Sequence, residues 1–237
     1  MQAVKDVIPL VGILPEDMVA CSASDCLYVL SKEAHCFSVL RVKKDGGPHF
    51  EISPWITDLC PSYPTIRLFV SVNGSLMALL KAKPPNPTVV IVYDAQGSIQ
   101  NAVTLFPTYH RFKFIFSVVQ KSDGNLVLGT IGESLDGELK EIDIIGKIVR
   151  EYQSSIFGDT GALADADGRI LIAGLGNTAE VLDSELNSCE LIVTRQNQGL
   201  IQIPYGLHYN RERNEMVRLF RLENANPFTG LIFFALS

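Results

Sequence analysis

Long apolar runs, helical periodicity, basic excess and a disulfide-type cysteine framework are all missing from this chain, and each absence narrows what it can be. No apolar stretch approaches the roughly 18 residues that a spanning helix needs. Met1 to Pro15 holds Lys5 beside Asp6 and is broken by Pro9 and Pro15, so no secretory signal is expected there. Lys and Arg total 20 against 26 Asp and Glu, for a net charge of −6, which opposes non-specific attraction to nucleic acid or anionic lipid. Cys21, Cys26, Cys36, Cys60 and Cys189 are too few and too scattered for a disulfide scaffold, and the odd number leaves at least one thiol. A reducing, cytoplasmic setting is expected.

Catalytic and metal signatures are absent as well. His35, His49, His110 and His208 stand apart from one another, with no Gly-x-Ser-x-Gly elbow and no metal-type histidine pair. Cys21-x4-Cys26-x9-Cys36 could bring thiols together to bind zinc or cross-link, yet it matches no zinc-ligand spacing. Cys21 and Cys36 fall inside strand patterns, so these cysteines read as small core residues. Gly174-Leu175-Gly176-Asn177 has no helix behind it to bind phosphate. No catalytic residue, metal ligand or cofactor is expected, and the chain reads as a protein that is not an enzyme.

What is present is a repeating turn and strand. Asp165-Ala166-Asp167-Gly168 leads into Arg169-Ile170-Leu171-Ile172-Ala173, a Gly/Asn turn follows, and Glu180-Val181-Leu182-Asp183 returns the chain. The same unit recurs around Leu27, Leu76, Leu126 and Met216. Successive anchors, with Ile170 in fourth place, are 49, 50, 44 and 46 residues apart. A period in this range marks β-units stacked around an axis, because one small twisted sheet cannot bury both faces alone. Each anchor has an apolar stretch ahead of it and a partner stretch behind it, so each repeat offers three or four strands. The fold class expected is all-β, a β-propeller with five blades and length for at most a shared or partial sixth. One domain spans 1–237, with blades near 15–60, 61–108, 109–157, 158–200 and 201–237. Residues 1–14 could supply a closing strand.

The run Asp167-Gly168-Arg169-Ile170-Leu171-Ile172-Ala173, the Gly-Asn turn, Val181-Leu182-Asp183-Ser184-Glu185-Leu186-Asn187, and Gly199-Leu200 with Pro204 ahead of Leu207 together resemble NHL-type β-propellers. Their best-known bearers are tripartite-motif proteins, in which the propeller follows a RING, a B-box and a coiled coil. Asn177 keeps the family's turn signature, whereas Gly174, Leu175 and Ala179 replace its acidic and arginine positions. The resemblance implies an interaction scaffold. No RING-type Cys/His array is present, so ligase chemistry cannot reside in this chain.

Candidate binding residues are those whose chemistry suits a partner and whose positions fall near turns. Tyr109-His110-Arg111-Phe112-Lys113 joins aromatic and basic groups at a repeat boundary, where it could stack a base or grip an acidic peptide. Trp55, the only tryptophan, follows Pro54 in a loop-like stretch and could anchor an interface or pack between the first two blades. Tyr205, His208 and Arg218 lie near the basic segment that also holds Arg211 and Arg213. The expected partner is a protein, with RNA disfavoured by the acidic charge and no membrane partner. The alternative is a lactonase-type propeller hydrolase holding a divalent cation in its central channel through residues such as Asp94, Asp123, Asp143, Asp165, Asp167 and Asp183. Most of these aspartates fall in turns, one to three residues ahead of a glycine, where the side chain bonds the nearby backbone.

Overall fold

The computed structural model describes residues 15–21, 23–32, 36–44, 50–59, 63, 65–71, 73–81, 86–105, 115–131, 136–157, 161–164, 168–173, 178–193, 202–210, 215–222 and 230–235. All regular structure among them is β-strand. The first sheet holds β1 (Pro15–Cys21), β2 (Cys26–Lys32), β3 (Phe37–Lys44) and β4 (Phe50–Leu59) in chain order. The second holds β5 (Thr65–Val70), β6 (Leu76–Lys81), β7 (Thr88–Tyr93) and β8 (Ile99–Leu105). The third is built from β9 (Ile115–Gln120), β10 (Leu126–Ile131), β11 (Asp136–Ile142) and β12 (Ile148–Phe157). The fourth follows with β13 (Gly161–Ala164), β14 (Ile170–Ala173), β15 (Thr178–Leu182) and β16 (Ser188–Val193). Three strands, β17 (Gln202–Asn210), β18 (Glu215–Leu222) and β19 (Gly230–Ala235), make the fifth. Five up-and-down antiparallel sheets correspond to the five repeats, one blade each.

The second strand of a blade shows why it needs neighbours. In β6, Leu76, Met77, Ala78, Leu79 and Leu80 are all buried, and in β2 Tyr28, Val29 and Leu30 are as well. Successive side chains on a strand point to opposite faces. Both faces of these strands are therefore covered, and the strands read as unbroken apolar runs. Two compact units divide the chain, Met1–Ala102 and Val103–Ser237. The first is centred on Tyr28, Leu30, Val39, Leu68, Leu76, Ala78 and Tyr93. A core of the second gathers Val119, Val127, Leu139, Ile170, Ile172, Leu182 and Leu186.

Five tight turns share one construction. In Ser71–Ser75, Asp94–Ser98, Lys121–Asn125, Asp143–Lys147 and Asp183–Asn187 the first residue's N–H donates to the fifth carbonyl, and the fourth N–H donates back to the first carbonyl. The fourth position is left-handed, as in hairpin turns closed by a glycine bulge. Glycine fills it at Gly74, Gly97, Gly124 and Gly146, with φ between 84° and 89°. Leu186 takes the same conformation at φ 64°, and its buried side chain, packed into the second unit's core, offsets the steric cost.

The loop-like reading of the Pro54-Trp55 stretch is corrected, because both residues lie within β4. Pro54 pairs with Leu40 beside a register irregularity on an edge strand. A missing N–H costs little there, since an edge strand leaves half its backbone groups unpaired anyway. Residues 1–14 lie outside the described residues.

Candidate functional site

The turn between β11 and β12 differs from its equivalents in what it displays. At the two central positions of the corresponding turns the second blade has Ala95-Gln96 and the fourth has Ser184-Glu185. The third blade has Ile144-Ile145, and these side chains are 58% and 75% exposed. Tight turns favour small polar residues, and β-branched apolar ones gain nothing there from folding. Val149, three residues beyond the turn glycine, is exposed too. It falls at the register shift between the Glu141–Arg150 and Ile142–Ile148 pairs. Lys147 adds an exposed cation at the fifth turn position.

This tip is held rigidly from below. Asp143 Oδ1 accepts hydrogen bonds from the backbone N–H of Ile145 at 3.0 Å and of Lys147 at 2.9 Å. Gly146, at φ 85°, has no room for a side chain, since a Cβ there would meet the Thr104 carbonyl oxygen at 2.5 Å. Two isoleucines fixed in this way can enter an apolar recess without first losing loop entropy.

Behind the tip lies a buried charge network. The Glu141 side chain is wholly buried, and its carboxylate accepts from Lys121 Nζ at 2.8 Å, Asn125 Nδ2 at 2.8 Å and Arg150 Nη1 at 2.9 Å. Burial alone would raise this carboxyl, but the three donors outweigh it and hold it below the usual carboxylate range. Arg150 also pairs with Glu185 in the fourth blade's turn. Its guanidinium is held more firmly protonated, chiefly by Glu141. In the next blade the buried Glu180 carboxylate accepts from the Tyr152 hydroxyl at 2.5 Å and the Ser188 hydroxyl at 2.7 Å. Desolvation first, and Glu180 second, push the Tyr152 phenol up to about 12. These groups consume one another's hydrogen-bonding capacity and brace adjoining sheets.

Of the candidate binding residues singled out in the sequence, four lie on described strands. Trp55 is half-buried, its ring 4.6 Å from that of Tyr28 and 6.2 Å from that of Tyr93. A Cβ on Gly97 would meet the Trp55 carbonyl at 3.1 Å, so the indole fills the seam between the first blade's β4 and the second blade's β7–β8 turn. Its Nε1 is buried without a hydrogen-bond partner among the described residues. Tyr205 and His208 lie on β17 and Arg218 on β18, with Arg218 opposite Leu207 and Tyr205 at the irregularity between Pro204 and Gly206. One sheet thus carries these three. Tyr109, His110, Arg111 and Lys113 lie outside the described residues. The apolar tip was missed by sequence reading, although the signal was present: Ile144-Ile145 sits between Asp143 and Gly146, where each of the other turns has at least one polar residue.

No family model matches the chain, and no curated protein matches it in sequence. Solved structures do. A protein of unknown function from Bacteroides caccae is similar at 12% identity and TM-score 0.60, covering 94% of this chain and 78% of that one. Pseudomonas aeruginosa periplasmic gluconolactonase is similar at 16% identity and TM-score 0.55, covering 94% and 68%. The PQQ-bound aldose sugar dehydrogenase of Streptomyces coelicolor follows at 10% and 0.55, covering 91% and 76%. Together with the five antiparallel sheets, these likenesses define the fold as a β-propeller.

They also correct the expectation that the chain is not an enzyme. Two of these three proteins are enzymes, so the absence of a local catalytic motif does not separate this chain from proteins that perform catalysis on such a fold. The physical reason is that a site assembled from loops of several blades needs no fixed spacing along the sequence. Identities of 10% to 16% carry the fold and nothing finer. Among the described residues no group of three or more His, Cys, Asp and Glu is arranged to hold a metal ion.

Proposed function

We propose that this chain is a recognition propeller of the NHL-like kind, and that it binds a protein partner through the β11–β12 turn. The observation that carries this reading is the exposed Ile144-Ile145 pair, on a turn whose equivalents each hold at least one polar residue at the two central positions. The partner would offer an apolar recess for the two isoleucines and a carboxylate beside it for Lys147. Buried anchors on rigid loops dominate the energetics of such contacts, whereas rim charges mainly steer the approach. The NHL resemblance carried by the residues between Asp167 and Leu207 supports a binding role for the loops, and the low identity to the enzymes transfers no substrate to this chain.

The test compares the full chain with an Ile144→Ser/Ile145→Ser variant as baits in an extract of its own cells. A specific partner should be retained by the former and lost, at least about tenfold, by the latter. Both side chains are exposed, so folding stability should change by less than about 0.5 kcal/mol. Equal retention of every protein by the two baits would sink the reading.

A further inference from the structure

The hairpin formed by β1 and β2 closes on two thiols. Cys21 and Cys26 are register partners at its last rung. Facing residues of an antiparallel ladder have Cα atoms about 4.5 or 5.5 Å apart, which lies inside the window of about 4.4–6.8 Å that a disulfide requires. The register alone therefore brings the pair within bonding reach. Both residues carry thiols, with Cys21 2% and Cys26 9% exposed.

One hydroxyl holds the two sulfurs together. Ser24 Oγ donates to Cys21 Sγ at 2.9 Å and lies 3.2 Å from Cys26 Sγ, where either atom can donate. The Tyr28 hydroxyl joins the cluster through Ser24 and Cys26, and burial is the main cause that pushes its phenol up to about 12. Cys21 Sγ–H also reaches the Gly74 carbonyl at 3.8 Å. A Cβ on Gly74 would meet Ala23 at 2.9 Å, so this hairpin end rests directly on the turn ahead of β6. Ala23 and Asp25 are exposed, which leaves the sulfurs one residue beneath the surface.

We propose that Cys21 and Cys26 form a reversible dithiol–disulfide site whose co-reactant is a small-molecule disulfide of the glutathione type. Cys26, the more exposed, attacks as thiolate and breaks the small disulfide, releasing one thiol and leaving a mixed disulfide. Cys21 then attacks the Cys26 sulfur and expels the second thiol. Two electrons pass from the protein pair to the small disulfide, and its two released thiols take up the two protons. Closure removes the Cys21 Sγ–H that donates to Gly74, so the oxidation state is felt at the second blade's turn. Fraying at a hairpin end gives the co-reactant access without global unfolding.

The full chain is equilibrated with graded ratios of reduced and oxidised glutathione, quenched in acid, alkylated, digested and weighed. The peptide holding both residues should become lighter by two hydrogens and refractory to alkylation, in one step, as the oxidised fraction rises. In the Cys26→Ser variant that species should vanish. The proposal is overturned if the wild-type peptide accepts two alkyl groups at every ratio. It is equally overturned if the two sulfurs end as separate glutathione adducts, or if either pairs with Cys36, Cys60 or Cys189.

Discussion

Arg150 donates to the buried carboxylate of Glu141 at 2.9 Å while also pairing with Glu185 in the following blade. A charge taken out of water is tolerated only when its lone pairs are met, and Glu141 meets them with Lys121, Asn125 and Arg150. Replacing Glu141 with Ala should therefore be far more costly than losing a surface ion pair. Lys121 keeps Asp123 at 3.4 Å and Arg150 keeps Glu185, so the loss should fall at the low end for a broken buried pair, about 3 kcal/mol. Urea unfolding measures it. A loss below about 1 kcal/mol would mean that Glu141 behaves as an exposed group.

Acid should weaken the same network. The Glu141 carboxyl titrates near 4.5 when unfolded and lower when folded. A depressed carboxyl contributes stability that is complete above the unfolded value and fades as pH falls through the folded one. Urea midpoints should thus drop as pH is lowered below about 4.5, and Glu141→Gln should flatten that dependence. Parallel curves for the two proteins would show that Glu141 is not linked to folding.

Two glycines separate conformational strain from collision. Gly146 and Gly168 both have positive φ, at 85° and 80°. A Cβ on Gly146 would meet the Thr104 carbonyl at 2.5 Å, whereas one on Gly168 would meet nothing within 4 Å among the described residues. Gly168→Ala should cost about 1–2 kcal/mol, the strain of a left-handed alanine. Gly146→Ala should cost clearly more, because backbone must shift as well. Equal losses in thermal or urea unfolding would place the Thr104 contact in error.

The blades were legible because turn chemistry and apolar runs recur together, as at Asp123-Gly124 ahead of Leu126 and Asp167-Gly168 ahead of Ile170. Outer strands were harder to see. Pro54 interrupts β4, and β8 alternates weakly through Ile99–Leu105, so neither stands out as a strand. Lys140, Glu141 and Glu180 are buried against every expectation from charge. A sheet covered on both faces has no solvent side on which alternation could place them. The acidic turn at Asp183 was legible, but not that Leu186 takes the left-handed position that glycine fills in the other four turns. The Cys21–Cys26 pair was visible as spacing, but only the register of the hairpin makes the two residues neighbours. The apolar tip required comparison of equivalent turns, which becomes meaningful once their shared hydrogen bonding is known.

The central claim is that the β11–β12 turn is where a protein partner docks. A photoreactive amino acid in place of Ile145, and in a second variant in place of Gln96 at the equivalent turn, tests it directly. Each full-length variant is irradiated in an extract of its own cells, and adducts are mapped by mass spectrometry. A discrete protein adduct at position 145, suppressed by excess unlabelled chain and absent at position 96, is the predicted result. No adduct at 145, or the same adducts from both positions, would contradict the account.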